Sequence, residues 1–305
     1  MDPFHHPLVR DLAWLIAGPP LMAPGTPGLA LPPADRLKRM VDDARPWLAD
    51  LDRRPDELEH WMGRHHSPRL GHHAEALMEF WLRRAPGIRF IAGRQTITES
   101  GRTLGDLDLL FEDDVRGTRV HWELAVKFFL CATSSPEWPE WIGPDPRDRL
   151  DLKLRRIIDH QLPLGGHPLA THGASGPVKS EAFLRGWLFT PFGSSGPAPT
   201  GSAPGYGHGW WLRHGERDVP AGSRASRFAV LPRLAWMPPA RLKPGGAPPI
   251  SGNELAQHLD RHFRDAIDAV LIAEVQRDRE GWWAEIARGF VVHPAWPQTP
   301  TDERR

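Results

Sequence analysis

The sequence predicts a mixed α/β protein: a core ordered helix, three antiparallel strands, helix, strand, with a helical region before it and a β-rich region after it. Three observations carry that prediction. From about Leu70 to Ala85, residues Ala74, Leu77, Met78, Trp81, Leu82 and Ala85 recur on one helical face. Three strand-like segments follow in quick succession, Arg89 to Thr98, Thr103 to Phe111 and Arg119 to Leu130, joined by turn residues at Glu99 to Gly101 and at Gly117. In the third of these the even positions Val120, Trp122, Leu124, Val126, Phe128 and Leu130 are all apolar, so one face is expected to be fully buried.

The remaining elements follow in order. Residues 1–70 read as helices broken by proline, at Leu8 to Ala17, about Ala34 to Ala49 and Pro55 to Arg64. Residues 71–192 hold the core, which continues past a Trp/Pro-rich loop into a helix at about Arg147 to Leu162 and a strand at Ala182 to Pro191. Residues 193–209 are nearly all Gly, Ser, Pro and Ala and read as a flexible loop. Residues 210–305 are expected to pack on the core with strands at Trp210 to Arg213, Arg227 to Met237, Ala269 to Gln276 and Trp282 to His293. A helix at about Asn253 to Phe263, capped by Ser251, interrupts them.

The chain has 305 residues and zero formal net charge, from 38 Lys plus Arg against 38 Asp plus Glu. That balance excludes a protein that holds nucleic acid by global charge, so a polyanion has to meet a local patch. The single cysteine, Cys131, excludes a disulfide framework and a thiolate zinc cluster, and fits a reducing compartment. No apolar run approaches the roughly 20 residues of a membrane helix, and Met1 to His6 have no leader character, so a cytoplasmic location without membrane contact is expected. Only five residues are lysine, at positions 38, 127, 153, 179 and 243, which draws attention to each one.

The residues that carry chemistry lie on the second and third strands. Asp106 and Asp108 share a face, and so do Glu123 and Lys127. One register sets Asp108 opposite Glu123 and Asp106 opposite Ala125; the other places Asp108 diagonal to both Glu123 and Lys127. Like charges facing each other destabilise a sheet unless a cation sits between them, and a hard divalent ion such as Mg²⁺, or Mn²⁺ in its place, removes the penalty. Asp106, Asp108 and Glu123 are the candidate metal ligands. On the preceding helix Glu75 is better placed than Glu79 to lean over the sheet. On the following helix Arg149, Lys153, Arg156 and His160 stack as a basic ridge suited to phosphates, and Gln161 projects into the apolar stripe of Leu150, Leu154, Ile157 and Ile158.

Gly105-Asp106-Leu107-Asp108-Leu109-Leu110, His121-Trp122-Glu123-Leu124-Ala125-Val126-Lys127-Phe128, the stretch Gly143-Pro144 to Asp148-Arg149-Leu150-Asp151, and His160-Gln161-Leu162 resemble the bacterial family catalogued as domain of unknown function 1853. The likeness extends over nearly the whole chain, to Arg288-Gly289-Phe290-Val291-Val292. The element order is similar to the PD-(D/E)xK nuclease core, with the restriction-endonuclease-like fold. That resemblance implies a Mg²⁺-dependent phosphodiesterase acting on DNA or RNA, with Glu75, Asp108 and Lys127 as its catalytic residues. The chain departs from the pattern at Ala125, where an acid is expected, and the nearest acid on that face is Glu123. Glu123 is displaced along the strand by about 6.6 Å, at about 3.3 Å per residue.

On this reading Asp108 and Glu123, with the Val126 carbonyl and Glu75 as a further ligand, hold the metal. Lys127 steadies the attacking water or the charge on phosphorus, and Arg149, Lys153 and Arg156 grip flanking phosphates.

Two other classes are set against it. A catalytically silent relative would bind nucleic acid or protein, with Trp138, Trp141, Trp210 and Trp211 available to stack on bases. A His-centred metal enzyme would draw on His65, His66, His72 and His73 with Glu75, although their spacing is not His-Glu-x-x-His.

Overall fold

The computed structural model describes residues 4–171, 178–194, 196–219, 222 and 226–298. Its architecture is mixed α/β, with a large, mostly antiparallel sheet and seven α-helical segments among the described residues. The chain divides into two units, the first comprising Met1–Val126, Lys153–Arg185 and Ala203–Gly205, the second Lys127–Leu152, Gly186–Ser202 and Tyr206–Arg305.

In the first unit, helices α1 (Pro7–Ala17), α2 (Ala34–Arg53), α3 (Asp56–Arg64) and α4 (Leu70–Leu82) precede β1 (Ile88–Glu99), β2 (Arg102–Asp113) and the first half of β3 (Thr118–Cys131). Pro7 at the first helical turn and Gly18 at the end bound α1. The carbonyls of Leu15 and Ile16 at that end accept from the buried Arg185 guanidinium, at 2.9 and 3.3 Å. α2 runs past the expected Ala49 to Arg53 because Leu51 continues its buried face. α4 is buried nearly all round, since α1 and α3 pack on it as well as β1 and β2. That is why its apolar residues exceed a single stripe.

The β1–β2 turn is Ser100-Gly101, both at positive φ (49° and 78°), the geometry of a tight two-residue hairpin. β2 and β3 pair with Leu110 opposite His121 and Leu109 opposite Trp122, the register whose next step sets Asp108 against Glu123. The expected polar face of β3 is not solvated: His121 and Glu123 are 0% and 1% exposed, so the strand is covered on both sides.

The second helix differs from the single span predicted over Arg147 to Leu162. A loop closed by the Gly143 N–H on the Asp148 carbonyl, at 2.7 Å, delays α5 to Leu150–Arg156. A π-helical turn, Ile157–Gln161, and a short α6 (Leu162–Leu164) follow. A π turn admits an extra residue and rotates what comes after it. Gly105 on β2 is where this segment comes close, since a Cβ there would lie 2.9 Å from Leu164 Cδ2.

Strand β5 (Val178–Pro191) runs from the first unit into the second. In the second unit β4 (Trp141–Ile142) pairs with the end of β3, and β5 pairs in parallel with β6 (Gly207–Arg213). β6 is parallel to β10 (Trp283–Val292), which is antiparallel to β9 (Val270–Arg277), itself antiparallel to β7 (Arg227–Leu231). A two-residue β8 (Arg241–Leu242) also pairs with β10. β7 stops well before the expected Met237 because Pro232 removes a donor and a 3₁₀ turn begins at Arg233.

Helix α7 (Gly252–Asp265) starts with a capping box, in which Ser251 Oγ accepts from the Glu254 N–H and Glu254 Oε2 accepts from the Ser251 N–H. It buries Leu255 and Leu259 against Phe228, Ile272 and Val291. Of the tryptophans offered for base stacking, Trp141 and Trp211 are core residues, and Trp138 donates its indole N–H to the Thr200 carbonyl. Thr200 lies in the segment read as a flexible loop, of which residue 195 falls outside the described residues.

Candidate functional site

A cluster of acids around Asp108 and Glu123, with the groups that hold it, lies within the first unit. Registered pairing of β2 with β3 ends at Leu109 and Trp122, and beyond it the Leu124 N–H donates to Asp108 Oδ2 at 2.9 Å. A side chain has replaced a carbonyl in the ladder, which fixes Asp108 beside Glu123. The two carboxyls lie close enough for the Asp108 charge to raise the proton affinity of Glu123. Burial, then the Asp108 charge, pushes Glu123 up to about 8, and burial raises Asp108 against the pull of the Leu124 amide. Raised proton affinity is the expected response when like charges are taken out of water together.

Glu75, from α4, is the third acid. Burial and the Asp108 charge push it up to about 7, although Arg94 Nη2 lies 3.2 Å from its Oε2. Arg94 sits on β1 at a φ of 44°, between Gly93, which pairs with Leu109, and Gln95, which pairs with Leu107. A non-glycine residue held left-handed in mid-strand costs roughly 1–2 kcal/mol, and such strain concentrates at functional sites. Sequence reasoning missed Arg94; the signal available was Gly93, a glycine inside a strand pattern.

The ammonium beside this cluster is Lys153, not Lys127. Lys153 Nζ donates to Glu123 Oε1 and to Gln161 Oε1, each at 3.1 Å, while Glu123 Oε2 is buried without a partner among the described residues. Gln161, expected to intrude into an apolar stripe, instead holds the lysine from the π turn. Lys127 belongs to the second unit, where it donates to Asp148 Oδ1 at 2.8 Å.

The basic ridge is therefore not assembled as predicted. Lys153 is drawn inward, Arg149 makes a two-pronged pair with Asp151 in the second unit, and the π turn rephases His160 relative to Arg156. Arg156 and His160 are both exposed.

The metal trio is not assembled either, since among the described residues no three His, Cys, Asp or Glu side chains form a group placed to hold an ion. Asp108 and Glu123 meet, whereas Asp106 accepts from Thr96 Oγ1 at 2.6 Å on the exposed edge. The His-centred alternative falls to the same finding. His73 is buried 3.1 Å from Asp11, His65 stacks on Trp61, and His72 lies 3.4 Å from Ser67 Oγ. A groove of about 320 Å³ opens at the cluster, lined by His65, His72, Glu75, Glu79, Arg94 and Asp108.

Residues 10–292 match the family described as Domain of unknown function (DUF1853), and the chain belongs to that family. No curated protein and no solved structure matches it. No helix among the described residues is long and apolar enough to cross a membrane.

Proposed function

We propose that the cluster of Glu75, Asp108, Glu123 and Lys153 hydrolyses phosphodiester bonds in DNA or RNA with Mg²⁺ or Mn²⁺ as cofactor, on a core of the restriction-endonuclease-like type. The observation that carries the reading is the buried Glu123 carboxyl, whose proton affinity is raised by burial and by the Asp108 charge and which has one oxygen unpartnered. Buried polar atoms are normally satisfied, so an orphan oxygen on a carboxyl that has a second carboxyl near it fits a divalent cation in place of the proton. Asp108 and Glu123 would hold the ion, which when bound supplies Lewis-acid polarisation of the phosphate. Mg²⁺ needs only one or two protein carboxylates when substrate phosphate and water complete its shell, so the two acids suffice.

Glu75, with a proton affinity near neutrality, takes the proton of the attacking water. Lys153 Nζ, steadied by Gln161, meets the charge that grows on the phosphate oxygens. Lys153 thus fills the part that the family resemblance gives to Lys127, and a helix supplies the ammonium in place of the strand. Exposed Arg156 and His160 are left for flanking phosphates.

A silent nucleic-acid-binding relative is the second reading, favoured by Ala125 at the usual acid position and by the want of a three-ligand group among the described residues. Labelled single- and double-stranded DNA and RNA, incubated with Mg²⁺ or Mn²⁺, separate the two. Cleavage reduced at least about 100-fold by Asp108→Ala and by Lys153→Ala, and retained in Lys127→Ala, supports the enzyme. Binding without cleavage under every condition supports the silent relative.

A further inference from the structure

The second unit holds a larger cavity, of about 660 Å³, that the proposed hydrolysis does not use. Its volume falls within the range of small-ligand sites, roughly 300–1,000 Å³. Three structural features meet there. The Asp145-Pro146-Arg147 loop provides one edge, the 3₁₀ turn at Arg233–Ala235 with Trp236 another, and α7 with the chain that follows it a third. The walls between them are apolar, from Val230, Leu231, Ile267 and Val270.

The polar groups are uneven in a way that specifies a ligand. Arg147 is already engaged by Asp145, through three hydrogen bonds of 2.7 to 3.2 Å. His262 Nε2 lies 2.7 Å from the Asp268 carbonyl. The side chains of Arg233 and His258, by contrast, make no hydrogen bond among the described residues, although the Arg233 charge lowers the proton affinity of Asp145. The Arg233 guanidinium lies over the Trp236 ring at 5.0 Å from its centroid. Trp236 is itself fixed, with its indole N–H donated to the Leu231 carbonyl at 3.0 Å.

A guanidinium over a buried indole leaves its outer face for a planar group. Planar bases stack on such guanidinium faces as they do on aromatic rings. A guanidinium without a side-chain hydrogen bond and a partly buried imidazole on the wall of the same cavity suit a phosphate. A ring to stack, a phosphate to pair and apolar walls between them describe one chemical class.

We propose that this cavity binds a free nucleoside monophosphate, its base stacked on the Arg233 guanidinium and its phosphate held by Arg233 and His258. The assignment stands apart from the hydrolytic reading, because none of its residues belongs to the carboxylate cluster.

Calorimetric titration of the full chain tests it, with adenosine 5′-monophosphate, adenosine, inorganic phosphate and a 5′-phosphorylated oligoadenylate as probes. Expected is saturable binding of the monophosphate, with adenosine and inorganic phosphate each at least about tenfold weaker. Arg233→Ala should weaken the monophosphate at least about tenfold, while Arg233→Lys, which keeps the charge and loses the flat face, should spare inorganic phosphate and still weaken the nucleotide. Arg233 is exposed, so these variants should fold, and a wild-type melting temperature confirms it. The proposal is overturned by an absence of saturable binding up to about 1 mM, by inorganic phosphate binding as tightly as the nucleotide, or by Arg233→Ala without effect. Binding lost in Asp108→Ala instead would move the nucleotide to the carboxylate cluster and overturn it too. A tighter, Arg233-dependent fit of the oligoadenylate would assign the cavity to a strand end and end the free-nucleotide assignment.

Discussion

Two buried glutamates in this protein sit in opposite surroundings. Glu285, on β10, is closed off: Arg288 Nε donates to its Oε1 at 2.6 Å, Arg288 Nη2 to its Oε2 at 2.8 Å, and the Ala240 N–H to the same Oε2 at 2.6 Å. The rest of the Arg288 guanidinium is used by the carbonyls of Trp236 and Pro238 and by the face of Trp187. Glu123, on β3, is buried more deeply, yet it has one ammonium, one orphan oxygen and a second carboxyl near it. Charges are taken out of water in both places, but only Glu285 has every oxygen paired. A fully satisfied pair is what a scaffold needs, and an incompletely satisfied one is the mark of a site that waits for something else.

The comparison breaks if the two glutamates respond alike to mutation. The largest expected effect is on the scaffold side. Arg288→Ala should destabilise the fold by about 3–5 kcal/mol in urea unfolding, because it strands a buried carboxylate. Lys153→Ala should cost under about 2 kcal/mol at pH 7, since Glu123 can answer the loss by keeping its proton. An equal loss in both variants would mean that Lys153 is a structural partner.

Next in size, Glu123→Gln should stabilise the protein at pH 9 by about 1 kcal/mol, by removing a charge that burial disfavours, even as it removes any metal-dependent cleavage. A drop in stability there would assign Glu123 to the scaffold with Glu285.

The same contrast has a pH signature. Glu123 and Glu75 bind protons more tightly folded than unfolded, so over the window from about 4.5 up to about 8 the native state carries more protons and stability falls as pH rises. His121 works in the opposite direction. It is buried, and burial pushes it down to about 4, so its neutral form contributes stability that is present above about 6.5 and lost as pH falls through 4. Melting temperatures across pH 4 to 9 should flatten on the alkaline side in Glu123→Gln and on the acid side in His121→Gln. Unchanged slopes would show that neither group is strained by its burial.

Smallest is Lys127→Ala. The Lys127–Asp148 pair is 27% and 43% exposed, so its loss should move stability by about 0–1 kcal/mol. A larger effect, or a loss of cleavage, would make Lys127 the catalytic ammonium in place of Lys153.

How much of this is legible in the sequence follows from what kind of information each feature needs. The order of elements in the first unit is legible, because apolar period and turn residues are local: Ser100-Gly101 is a hairpin turn in the sequence and in the structure. The pairing of Asp108 with Glu123 is one of two registers open to the strands, and the structure takes it. Glu75 stands out from its place on the edge of a helix face, and the Asp108 charge raises its proton affinity. Lys153 is visible but reads as part of an outer ridge, because helical spacing places residues around an axis and says nothing of what lies across from them. Arg94 does not stand out, since its reach to Glu75 depends on a left-handed backbone that no residue type announces.

The sequence by itself determined the order of elements in the first unit, the single buried face expected of β3 and the acids available to a site, all set by side-chain volume, polarity and spacing along the chain. Only the tertiary structure decided that the other face of β3 is covered as well, that Lys153 and not Lys127 faces Glu123, and that one carboxylate oxygen is left without a partner. Burial on both faces turned Asp108 and Glu123 from members of a solvated strand face into groups whose proton affinities are raised. That change belongs to the desolvation of the assembled site, a quantity no stretch of chain carries alone.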